Sequence, residues 1–190
     1  MVAKASIIKN YQKADVEGKV DIICKNYSNF IGIVDGCTEG LRYMIENEQD
    51  YNRRQNRGDL GVRVQTSGSH SDITATTAIH RAITREAIIA CDFSGDALEG
   101  IERGDEFQED AFTLRRMRAD YELFNQQLYI LNKEELRIFR LYLSGDKDFY
   151  EIAESEGIQY RSAVQKVRRA KCKIKGQMLG FMEMGGRKDA

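Results

Sequence analysis

The stretch 131-LNKEELRIFRLYLSGDKDFYEIAESEGIQYRSAVQKVRRAKCKIKGQM-178 reads as three short helices separated by two stops. Asn132 stands three residues ahead of Glu135, the spacing of a capping box at a helix start. Leu136, Phe139 and Leu143 then recur at helical spacing as an apolar stripe. Ser144-Gly145-Asp146 ends that helix, since glycine is the usual residue just past a helix terminus. Asp148 caps a second helix, Phe149 to about Ser155, which turns Ile152-Ala153 inward. Gly157 makes a sharp turn that needs a positive φ, and Ile158 plugs the space between this helix and the next. The third helix starts near Gln159 or Tyr160. It packs through Ala163, Val167, Ala170 and Ile174, at spacings of four, three and four.

The other face of that third helix is cationic. From Arg161 to Lys175 there are seven basic residues and no acid. Two helices joined by a glycine turn and a plug residue have the spacing of a helix-turn-helix, whose second helix enters the DNA major groove. In that arrangement the first turns reach base edges and the basic residues beyond hold phosphates. Tyr160, Arg161, Ser162 and Gln165 are therefore the expected base-contacting residues, with arginine suited to guanine and glutamine to adenine. Lys166, Arg168, Arg169, Lys171 and Lys173 are the expected phosphate contacts. The competing reading is an ordinary amphipathic helix with a solvated basic face. It gives no account of the glycine turn and plug at these offsets.

The string FYEIAESEGIQYRSAVQKVRRAKCKIK resembles region four of bacterial sigma factors. Glu151-Ile152-Ala153, Gly157-Ile158, Val167 and Arg169-Ala170-Lys171 match that pattern as they stand, and LNKEELRIFRLYLSG is similar to the helix preceding it. The resemblance covers about a quarter of the chain and implies promoter contact through Tyr160, Arg161 and Gln165. Ser155-Glu156 departs from it, standing where an apolar pair is usual, and Tyr160 is bulkier than the common residue. A region two that melts DNA with exposed aromatics has no match, for there is no Trp. The chain is thus more similar to the ArpU/RinA-type regulators of phages and mobile elements. That resemblance implies control of late or conjugative genes together with RNA polymerase.

Composition sets wider bounds. The 190 residues contain no proline, 42% hydrophobic and 31% charged residues, which points to an all-α, largely soluble protein. Net charge is only −1, but residues 133–190 hold 13 basic and 9 acidic groups, leaving the rest about −5. A basic module on an acidic body suits a nucleic-acid binder. Cys24, Cys37, Cys91 and Cys172 form no C-x-x-C pair and lie at no ligand spacing from His70 or His80, so neither zinc nor a cofactor is expected. MVAKASIIKN is too short an apolar run for export or membrane insertion, so a cytoplasmic location and reduced thiols are expected.

Residues 1–50 are expected to be an N-terminal helical segment, with an apolar pattern from Val16 to Ile45. Gly32, Gly36 and Gly40 admit two readings, a close helix approach or a turn near Asp35-Gly36. Residues 51–71 read as a polar linker with arginines at 53, 54, 57 and 63, more simply solvated than bound to phosphate. Gly58-x-x-Gly61 lacks the residues of a phosphate loop. Residues 72–130 read as a helical middle segment. In it, Ala75, Ala78, Ile79, Ala82, Ile83 and Ala87 are expected to face a partner helix, with His80 at the boundary. The acidic stretch 92–110, with eight carboxylates against Arg103, reads as solvated; a second reading has it mimicking DNA or filling a partner's basic channel. A further helix is expected from Phe112 to Ile130, with Arg115, Arg116 and Arg118 as possible phosphate ligands. Residues 131–180 are expected to form the DNA-binding module and 181–190 a flexible tail.

No motif of a hydrolase, a dinucleotide enzyme or a metalloenzyme is present, so no catalytic residue is expected. The resulting expectation is a sequence-specific, sigma-like transcriptional regulator. It would bind double-stranded promoter DNA beside bacterial RNA polymerase. The alternatives are a helical interaction protein or repressor whose N-terminal part binds a protein, and a divergent alternative sigma factor.

Overall fold

The computed structural model describes residues 2–56 and 73–185. Among these residues every regular element is a helix and no strand occurs, in line with the all-α expectation from composition. The helices are α1 (Val2–Lys13), α2 (Val16–Asn26), α3 (Phe30–Asn56), α4 (Ile73–Ala90), α5 (Gly104–Gln127), α6 (Lys133–Ser144), α7 (Phe149–Glu156) and α8 (Tyr160–Gly185). Single 3-10 turns precede α3, α5 and α6.

The contacts divide the chain into two units, Met1–Ile33 with Met117–Ala190, and Val34–Arg116. These units cut across the segments expected from composition. The N-terminal helices belong with the C-terminal ones, because their apolar faces close one core.

In the first unit, Tyr11, Val20, Ile23 and Phe30 are buried from the N-terminal side. Met117, Phe124 and Leu128 are buried from the central helix, and Ile138, Phe139 and Leu143 from α6. Ile152, Ala153, Ala163, Val167, Ala170, Ile174 and Met178 complete the set from α7 and α8. Burying each large side chain contributes about 1.5–3 kcal/mol. Two polar bonds fix the register: Tyr11 Oη donates to Asp120 Oδ2 at 2.9 Å, and Tyr27 Oη donates to Asn125 Oδ1 at 2.7 Å. The Phe30 ring stacks on Tyr121 with centroids 5.2 Å apart.

In the second unit, Leu41, Ile45, Ile88, Phe107, Ala111 and Leu114 are buried. The loop between α4 and α5 is tied down by α3. Gln49 Nε2 donates to the Ala97 carbonyl at 3.1 Å, and Asn52 Nδ2 to the Gly100 carbonyl at 2.6 Å. Glu48 accepts from the backbone N–H groups of Glu102 and Arg103 at 3.0 and 3.1 Å. The acidic stretch is mostly solvated, though it carries the short turn Asp96–Leu98 and the first part of α5.

Several expectations are corrected. No turn occurs at Asp35-Gly36; α3 is continuous from Phe30 to Asn56, and the break falls at Tyr27–Asn29. The buried series Phe30, Val34, Cys37, Leu41 and Ile45 outweighs the cost of interior glycines, about 1 kcal/mol each. Close helix approach does not explain Gly40 either, since a Cβ there would meet nothing within 4 Å. The linker's first residues, Tyr51 to Asn56, are helical; its remainder, with Arg57, Arg63 and His70, lies outside the described residues. On α4 the buried residues are Thr84 and Ile88, while Ile79 and Ile83 are 61% and 57% exposed. The expected apolar face is therefore the solvent face. α5 begins at Gly104, eight residues before the expected start at Phe112. α8 extends through Gly185, so the helix takes in the first half of the expected tail; residues 186–190 lie outside the described residues.

Candidate nucleic-acid interface

The segment that carries the cationic helix is built by local rules that the sequence displays. Asn132 accepts from Glu135 N at 2.9 Å while the Glu135 carboxylate accepts from Asn132 N at 3.3 Å, completing a capping box on α6. Gly145 closes α6 at φ 73°, a left-handed conformation favoured by glycine. Asp148 caps α7 by accepting from Tyr150 N and Glu151 N at 2.8 and 2.9 Å. Gly157 ends α7 at φ 63°, and Ile158 N donates to the Ala153 carbonyl at 3.0 Å. The chain then enters α8 after two residues. Of the expected α6 stripe, Phe139 and Leu143 are buried and Leu136 is half-buried, while Ile138, outside that stripe, is buried as well; Ile158 is half-buried.

α8 sets its inner face with Ala163, Val167, Ala170, Ile174 and Met178, all buried. With 3.6 residues per turn, Arg161, Gln165, Arg168, Arg169 and Cys172 fall on the opposite side, and each is exposed. Ser162 is half-buried beside them. Tyr160 is 41% exposed, and its ring lies on that of Tyr150 with centroids 4.4 Å apart. Between α6 and α8 lies an open hollow of about 570 Å³ lined by Glu135, Gln165, Arg168, Arg169, Cys172 and Lys173.

The seven cations of α8 fall into two kinds. Lys166 pairs with Glu134, and Lys173 pairs with Glu135 at 2.6 Å, both acids on α6. Lys171 and Lys175 share Asp21 of α2 at 2.8 and 2.9 Å, and Lys175 also faces Glu17 at 3.4 Å. Burial opposes charge on Asp21, but the hydrogen bonds from Lys171 and Lys175 prevail and lower its carboxyl below the usual range. Glu135 is lowered as well, first by its bond from Lys173. Arg161, Arg168 and Arg169 have no carboxylate partner among the described residues.

The four expected base contacts and the expected phosphate contacts from Lys166 to Lys173 thus lie on α8, whereas Arg115, Arg116 and Arg118 lie on α5. Of the α8 set, Lys166, Lys171 and Lys173 already face acids of their own unit. Two features escaped the sequence reading. The Tyr150–Tyr160 stack needs α7 and α8 folded together, and the only signal was one tyrosine on either side of the turn. The pairing of α8 with Asp21 joins residues 150 positions apart, and the sequence carries no sign of it. The middle-segment arginine Arg115 donates to the Ala90 carbonyl at 3.1 Å, which closes the second unit.

No family model, curated protein or solved structure matches the chain. Among the described residues no helix is long and apolar enough to cross a membrane. No group of three or more His, Cys, Asp or Glu side chains among them is arranged to hold a metal ion.

Proposed function

We propose that this chain is a sequence-specific DNA-binding regulator of transcription, without enzymatic activity, in which α7 and α8 act as a helix-turn-helix. The observation that carries this reading is the outer face of α8. Arg161, Arg168 and Arg169 stand exposed around Gln165 with no carboxylate to neutralise them, directly after a left-handed glycine turn. In such a geometry the first turns of the second helix read base edges and the following cations hold phosphates. Tyr160, Arg161, Ser162 and Gln165 would supply the base contacts. The likeness of residues 131–178 to sigma region four supports promoter DNA as the target and bacterial RNA polymerase as the partner. The likeness to ArpU/RinA-type regulators supports a phage or mobile-element setting in a cytoplasm.

Selection of bound duplexes from a random pool, with and without RNA polymerase, tests the proposal. Enrichment of a defined site is expected, sharper with polymerase if the chain acts as a sigma-like factor. Failure of the full chain to bind any duplex in a salt-dependent manner, alone or beside polymerase, would sink it.

One observation favours a second reading. Ile79 and Ile83 stand exposed one turn apart on α4, which suits a unit that binds a protein. Under that reading the chain is an interaction protein or repressor. A wild-type chain that selects no duplex, yet captures RNA polymerase in a way that Ile79→Ser with Ile83→Ser abolishes, would support it.

A further inference from the structure

Resting on the reading of α8 as a groove-facing helix, we infer that its cations divide into two jobs. The four lysines hold α8 within its own unit, and the three arginines are the groups that meet nucleic-acid phosphate and base edges. The division is geometric. Lys166 and Lys173 are seven residues apart, two turns along one edge of α8, and meet Glu134 and Glu135 of α6. Lys171 and Lys175 are one turn apart on the other edge and meet Asp21 of α2. Arg161 and Arg168 are also two turns apart, on the strip between these edges, with Arg169 beside them.

Chemistry agrees with the placement. A lysine ammonium is a compact charge that one carboxylate satisfies, whereas the arginine fork matches a phosphate or a guanine edge bidentately. A lysine that already faces a carboxylate has exchanged its counterion on folding. A duplex that displaces the carboxylate gains one ion pair and loses another. Such lysines add little to the number of ions released on binding, although they make the helix look strongly basic in the sequence.

The salt dependence of affinity counts the phosphates neutralised, at about 0.9 per contact in B-DNA. Arg168 and Arg169 on phosphates give a slope of magnitude about 2, or about 3 where Arg161 also meets a phosphate on mixed-sequence duplex, whereas all seven cations would give about 6. The experiment uses the full chain and a fluorescently labelled, mixed-sequence DNA duplex, with anisotropy read across a salt series. The wild-type slope alone decides between the two cases and needs no variant. Net-charge-preserving pairs then separate the jobs. Glu135→Gln with Lys173→Gln, and Asp21→Asn with Lys171→Gln, are expected to lower the melting temperature while changing affinity less than twofold. Arg168→Gln and Arg169→Gln are expected to weaken binding several-fold, and each to flatten the slope by about one unit. A wild-type slope near 6, or lysine-pair variants that lose affinity as the arginine variants do, overturns the division while leaving DNA binding intact. A wild-type chain that ignores salt and duplex alike removes both the division and the function it rests on.

Discussion

The ring of Tyr160, the first residue of α8, lies on the ring of Tyr150 in α7, with centroids 4.4 Å apart and planes 29° apart. Tyr160 also meets Phe149 edge-on at 6.3 Å, and Phe149 stacks on Tyr142 at 5.6 Å. A line of rings therefore runs from α6 out to the turn that launches α8. It ends on Tyr150, which is 69% exposed. The stack bridges α7 and the first turn of α8, next to Arg161. Tyr150→Ala is expected to destabilise by about 0.5–1.5 kcal/mol, the usual contribution of an aromatic pair. It should weaken duplex binding as well, while Tyr150→Phe keeps both. A double-mutant cycle with Tyr160→Ala isolates the coupling; additive losses would show that the two rings do not act together.

Gly157 sits at φ 63°, and a Cβ built there meets nothing within 4 Å. Substitution is penalised by backbone conformation and not by collision. Gly157→Ala is expected to lose about 1–2 kcal/mol, the cost of a left-handed L-residue. Gly157→Asn should lose less, because asparagine tolerates that region. Chemical denaturation reads the order directly. Equal stability of wild type and Gly157→Ala would contradict the assigned turn.

Arg161 is exposed in the first turn of α8, where a groove-facing helix meets base edges. Arg161→Ala is expected to reduce affinity for a selected site by about 1–3 kcal/mol and to relax preference at one base position. Affinity for mixed-sequence duplex should fall less. A footprint and an affinity that are both unchanged would remove Arg161 from the recognition set.

Cys172 is exposed among Arg168, Arg169 and Lys173. The other thiols are less available: Cys24 and Cys37 are buried, Cys91 is half-buried, and burial pushes the Cys24 thiol up to about 12. A maleimide at neutral pH should therefore modify Cys172 first. Saturating duplex is expected to slow that reaction, since the bound backbone would cover the same strip of α8. Mass spectrometry of the labelled peptide gives the readout. Labelling at the same rate with and without bound duplex would place the DNA elsewhere.

Asp21 and Glu135 both have carboxyls lowered by the lysines of α8. A group whose folded pKa lies below its unfolded value stabilises the fold above the unfolded value, about 4 for a carboxylate, and that contribution fades as pH falls through the folded pKa. Asp21 is about half exposed, so solvent screening holds its pair contribution to about 0–1 kcal/mol. The melting temperature should drop on the acid side of about pH 4. Asp21→Asn should lower it at neutral pH and make the acid limb shallower. An acid limb identical to that of the wild type would contradict a stabilising Asp21 pair.

Local signals and distant contacts divide what could be known at each level. Asn132, Gly145, Asp148 and Gly157 act within a few residues, through caps and one permitted φ, so the sequence alone placed the bounds of α6, α7 and the start of α8. The inner face of α8 was equally legible, because helical periodicity needs no partner to be counted. Periodicity failed on α4, where alanines and isoleucines mark an apolar strip but Thr84 and Ile88 are the buried residues. Burial there depends on which neighbours arrive, and no count of residues supplies them. The glycines of α3 misled for a related reason: a local helix cost of about 1 kcal/mol each is small beside a long buried stripe. Most of all, charge in the sequence is a sum, whereas charge at a surface is what remains after pairing. Seven cations are written between Arg161 and Lys175. Only the tertiary structure, by bringing Asp21, Glu134 and Glu135 against four of them, decides that three arginines are left facing outward.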